Sequence, residues 1–172
     1  RFLLDRFGFD YDTVSRRDLN SGVDLTGYDV FINNSVYLGQ LNDTGKAVLA
    51  AFFAAGGDYI GLGDYGAYLA SEANLLDFDI EFPPGNSIVH VGYNAADAVA
   101  AGFGDEGYAF VNYAALFSNL GEGVQVTASI QDRPDFLVSG FWPGWQTSGA
   151  NGAPIVIRGG QGSQDVTLIG FD

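Results

Sequence analysis

The chain has 172 residues, 47% of them apolar and 15% aromatic, with a formal net charge of −14. The apolar fraction supports a hydrophobic core and excludes a disordered polyanion, while a single lysine (Lys46) and the acidic surplus exclude a nucleic-acid binder built on phosphate contacts. Without cysteine there can be no disulfide, thiol nucleophile or thiolate-held zinc, and no apolar run reaches the about 20 residues of a membrane span.

The stretch from Arg1 to Gly8 reads as the end of a helix, and Phe9-Asp10-Tyr11-Asp12-Thr13-Val14 alternates like a strand. Asp10 and Asp12 form a D-x-D pair, but nothing after them resembles a calcium loop, so no metal site is expected. Ser15 to Gly27 reads as a polar connection. Tyr28 to Asn34 is then a mostly apolar strand with a polar end. Open α/β sheets bind ligands beyond the carboxyl ends of their strands, which makes Asn33, Asn34 and Ser35 candidates for a site. Asn42 or Asp43 caps the next helix, whose apolar face carries Val48, Leu49, Phe52 and Phe53, and Gly56-Gly57 stops it.

Tyr59-Ile60-Gly61-Leu62 suits a buried parallel strand, and Gly63-Asp64-Tyr65-Gly66 crowds the backbone into a sharp corner before a new helix. Such a corner resembles the nucleophile elbow of α/β enzymes, in which one residue is held out above the sheet. The candidates for that residue here are Asp64 and Tyr65, neither of which is the usual Ser or Cys. The elbow helix continues through Tyr68, Leu69 and Leu75.

Phe78 to Phe82 and Ser87 to Tyr93 alternate around Pro83-Pro84-Gly85-Asn86, which predicts an inserted β-hairpin. It holds His90, the only histidine. Ala95 to Gly102 reads as a short helix with Asp97 near its start. Tyr108–Tyr113, Val124–Ile130, Phe136–Phe141, Pro154–Gly159 and Asp165–Gly170 read as successive strands, with Gly160-Gln161-Gly162-Ser163 as a hairpin turn. Trp142-Pro143-Gly144-Trp145 is an aromatic loop, serving either as a binding platform with Tyr65 or as a plug onto the core.

This order resembles the glutamine-amidotransferase-like domains. The resemblance rests on Gly8-Phe9-Asp10-Tyr11-Asp12-Thr13-Val14, Leu25-Thr26-Gly27-Tyr28-Asp29-Val30, the Gly61–Gly66 elbow and Val166–Asp172. More specifically, Phe136–Pro143 and Gly152–Val156 are similar to the version appended to secreted bacterial zinc carboxypeptidases. The resemblance implies an α/β, flavodoxin-like, doubly wound and mainly parallel sheet with the inserted hairpin and extra C-terminal strands. It also implies one domain over 1–172, trimmed at both ends from a longer protein.

An amidotransferase pairs an elbow Cys with a His after the last strand, and here those places hold Asp64 or Tyr65 and the vicinity of Asp172. The host peptidase's zinc motif cannot be built from one histidine. The expectation is therefore a non-catalytic accessory domain of a secreted, extracellular hydrolase, without cofactor, packing against other domains of its parent. One alternative is a carbohydrate- or peptide-binding module using Asn33, Asn34, Asp64, Tyr65, Trp142 and Trp145. A second is a hydrolase using Asp64.

Overall fold

The computed structural model describes residues 2–171 apart from 84, 113 and 161. Its centre is an α/β unit. Strands β1 (Val30–Asn33), β2 (Asp58–Leu62) and β10 (Val166–Ile169) lie side by side and parallel. Between β1 and β2 the chain forms α3 (Asp43–Ala54), capped by Asn42, whose side chain accepts from the Gly45 amide. After β2 comes α4 (Gly63–Glu72), which packs on β2 and β10. Tyr59, Leu69, Leu168, Leu49 and Phe52 fill the core between these elements.

Antiparallel strands extend this unit. The sheet runs β1-β2-β10-β9-β7-β4-β5, with β9 (Pro154–Gly159), β7 (Gln125–Ile130), β4 (Asn86–Tyr93) and β5 (Glu106–Asn112); β8 (Leu137–Phe141) also pairs with β4. Among the described residues, parallel pairing is confined to β1, β2 and β10, and the other ladders of this sheet are antiparallel. The α/β, flavodoxin-like class holds, with "mainly parallel" describing its central unit and the C-terminal strands supplying the antiparallel half. Val89, Val91, Ile130, Phe136, Trp142 and Ile155 form a second core there. A partly buried ion pair lies in this half, with Asp97 buried and Arg158 partly exposed. Asp97 caps a 3-10 turn (Ala98–Ala100), accepting from the Val99 amide, the Thr127 hydroxyl at 2.7 Å and the Arg158 guanidinium at 3.0 Å.

Five sequence expectations need correction. The helix after the corner, α4, stops at Glu72 and does not reach Leu75. Residues 9–14 form no strand: they run irregularly beyond α1 (Phe2–Phe7), held by side-chain bonds from Tyr11 to Asp5 and from Tyr28 to Asp12. Alternation alone does not make a strand, and this segment joins no ladder although β1 ends the sheet. The polar connection after it contains a helix, α2 (Arg16–Asn20), started by a Ser15–Asp18 capping box and fixed by fully buried Leu19. The expected short helix at 95–102 is only the 3-10 turn.

The inserted hairpin does not form. Both edges of β4 are taken, one by β5 and the other by β7 and β8, so β3 (Asp79–Glu81) pairs instead with β6 (Leu116–Ser118) in a separate two-stranded sheet. The 160–163 turn joins antiparallel β9 and β10 as expected, with Gln161 outside the described residues. Arg1, Pro84, Tyr113 and Asp172 of the predicted elements also lie outside them.

Candidate functional site at the strand-to-helix corner

The corner between β2 and α4 is closed by backbone contact. A Cβ at Gly66 would lie 2.5 Å from the Gly61 backbone, and one at Gly61 would lie 2.8 Å from the Gly66 carbonyl oxygen. Only glycine at both places lets the helix turn back this tightly over the strand. The left-handed residue of the corner is Gly63, at φ +59°. Asp64 and Tyr65, the residues expected at the apex, instead follow it in the first turn of α4. Asp64 is half-buried and its Oδ1 accepts from the Tyr65 amide at 2.8 Å.

A buried polar network ties the loop after β1 to this corner. Tyr59 is fully buried on β2, and its hydroxyl donates to the Gly66 carbonyl at 2.8 Å while accepting from Asn33 Nδ2 at 2.9 Å. Burial pushes the Tyr59 phenol far above its ordinary value, partly offset by the Asn33 hydrogen bond. Asn33 also donates to the Val36 carbonyl at 2.8 Å, and its Oδ1 accepts from the Val36 and Ser35 amides. At 3% exposure its polar groups are spent inside the protein, so Asn33 shapes the corner instead of facing a ligand. Asn34 is exposed beside it.

Four rings cover the outer side of the corner. Tyr65 and Tyr68 project from α4 and are 37% and 44% exposed. Tyr37 lies between them, its centroid 5.9 Å from Tyr65 and 6.5 Å from Tyr68, and Tyr68 stacks on Phe82 at 4.7 Å. Sequence reasoning singled out Tyr65 alone. The available signal was the i, i+3 pair Tyr65 and Tyr68 on a helix that starts at the carboxyl end of a strand.

The other sequence candidates lie elsewhere. Trp142 is 4% exposed, and both Trp142 and Trp145 sit edge-on against Phe136, at 5.8 and 5.5 Å. They plug their loop onto the second core and form no platform with Tyr65. His90 lies on β4, against Tyr108 at 4.9 Å, with three strands (β7, β9 and β10) between it and β2. A cavity of about 660 Å³ opens at the amino ends of β1 and β2, lined by Asp24, Thr26, Tyr28, Asp29 and Asp58 among others, away from the corner. No helix among the described residues is long and apolar enough to cross a membrane.

No protein-family model matches the chain, and no curated protein matches it. Solved structures do. A glutamine amidotransferase from Thermotoga maritima superposes with a TM-score of 0.63 at 10% identity, over 99% of this chain and 67% of its own. A cytoplasmic protein from Salmonella typhimurium gives 0.67 at 15% identity, over 98% and 73%. A protein provisionally named ThuA-like, from Bacteroides uniformis, gives 0.59 at 16% identity, over 99% and 71%. The fold is glutamine amidotransferase-like. At these identities the likeness establishes the architecture, and the chemistry has to be argued from this chain's own residues.

Proposed function

We propose that the chain is a non-catalytic accessory domain of a secreted hydrolase of the zinc carboxypeptidase type, built on the amidotransferase-like fold. The observation that carries this reading is Gly63. In a nucleophile elbow the residue in the strained turn presents the attacking atom, and the left-handed residue of this corner has no side chain. The chain has no cysteine, and its one histidine lies across the sheet from the corner, so neither half of a thiol–imidazole pair is at hand. The resemblance of the C-terminal strands to domains appended to secreted peptidases supplies the host.

Two measurements test it. Incubation of the domain with glutamine should release no ammonia above a buffer blank. Deletion of the domain from its natural full-length protein should leave turnover of a small peptide substrate per folded molecule unchanged, while lowering the melting temperature. Ammonia release that Asp64→Asn abolishes would make the corner an active site and overturn the reading.

A further inference from the structure

The four rings at the corner form one continuous surface. Their neighbouring centroids are 5.9, 6.5 and 4.7 Å apart, so each ring rests on the next. A cage for a quaternary ammonium needs facing rings with room for the cation between them, and rings in mutual contact leave none. An anionic ligand is disfavoured by charge: residues 34–40 and 63–72, which carry three of the rings, contain Asp64 and Glu72 and neither Lys nor Arg. Polar capacity is nevertheless abundant. Among the described residues the hydroxyls of Tyr37, Tyr65 and Tyr68 and the side chain of Asn34 bond to no protein partner, and Asp64 uses only Oδ1.

Two exposed rings, Tyr65 and Tyr68, flanked by the half-buried Tyr37 and Phe82 and bordered by uncommitted phenols, an amide and a carboxylate, match a neutral polyhydroxylated chain. Its apolar C–H faces stack on aromatic surface while its hydroxyls meet the polar border. An open row suits a chain lying along it better than a small molecule enclosed on all sides. We propose that Tyr37, Tyr65, Tyr68 and Phe82 form a binding surface for a neutral glycan, with Asp64 and Asn34 as hydrogen-bonding groups. This surface rests on the geometry of the corner and is independent of the accessory reading.

Calorimetric titration with cellohexaose, xylohexaose, maltohexaose and N-acetylchitohexaose tests it. Saturable binding of at least one is expected, weakened roughly tenfold in each of Tyr65→Ala and Tyr68→Ala through loss of one stacking face. The circular dichroism of both variants should match the parent, because both side chains lie on the outer surface of α4. Absence of binding to all four sugars, affinity unchanged in both variants, or binding of tetramethylammonium chloride in place of the sugars would each overturn the proposal. None of these outcomes bears on ammonia release, so the two readings can fail separately.

Discussion

Two aromatic clusters in this molecule use similar residues to opposite ends. Around Phe136, two tryptophans on a Pro-Gly loop turn inward, and Trp142 is left 4% exposed. At the β2–α4 corner, Tyr65 and Tyr68 are exposed, Tyr37 is half-buried and Phe82 packs in part against the main core. The first cluster is structure, and the second leaves ring surface in contact with solvent. What separates them is whether backbone comes close behind: the paired glycines bring α4 so near β2 that the first-turn side chains have nowhere to go but out.

The sharpest way to break this contrast is Trp142→Ala. Removing a buried tryptophan should cost about 3–5 kcal/mol in urea unfolding, and a loss below about 1 kcal/mol would mean the loop is not a plug. Gly66→Ala comes next. Alanine gains about 1 kcal/mol of helix propensity over glycine, but its Cβ meets the Gly61 backbone at 2.5 Å. Overpacking of that kind should win, for a net loss of about 2 kcal/mol; a stabilised variant would show that the corner has slack.

Asp97→Ala probes the antiparallel half and should also cost about 2 kcal/mol. That is less than a fully buried pair, since the Arg158 side chain is 26% exposed and keeps Asp165. Burial alone pushes the Asp97 carboxyl up, but the Val99 amide, the Thr127 hydroxyl and Arg158 outweigh it and hold it below the usual range. A carboxyl depressed in the folded state stabilises above its unfolded pKa of about 3.9 and loses that contribution as pH falls through the folded value. The stability gap between parent and Asp97→Ala should therefore narrow below about pH 4. A gap constant from pH 7 to pH 3 would remove the charge from the explanation. The smallest effect belongs to Tyr65→Ala, under about 1 kcal/mol because the ring is partly exposed and leaves no buried cavity. A large loss there would merge the two clusters into one structural class.

Much of the α/β centre was legible in advance. The Asn42 cap, the apolar face of α3, the Tyr59–Leu62 strand and the glycine corner are local signals whose physics acts within a turn or two of chain. Failures came where a segment's fate depended on a distant partner. Phe9–Val14 alternates as a strand should but pairs with no strand, although β1 and β5 end the sheet, and the apparent 78–93 hairpin does not form because β5, β7 and β8 occupy both edges of β4.

The sequence places the corner at Gly63–Gly66 with Asp64 or Tyr65 at its apex, and the left-handed residue is Gly63, immediately before them. Gly61, Gly63 and Gly66 are visible in the sequence, but which of them takes the left-handed turn and which two touch is settled by how α4 lies on β2 and β10. The sequence by itself determined that a strand breaks into a helix over glycine here, that no thiol is present and that the chain is strongly acidic. Only the tertiary structure decided which aromatic rings face water, because burial depends on what the rest of the chain places behind each ring and not on the ring or its neighbours in sequence.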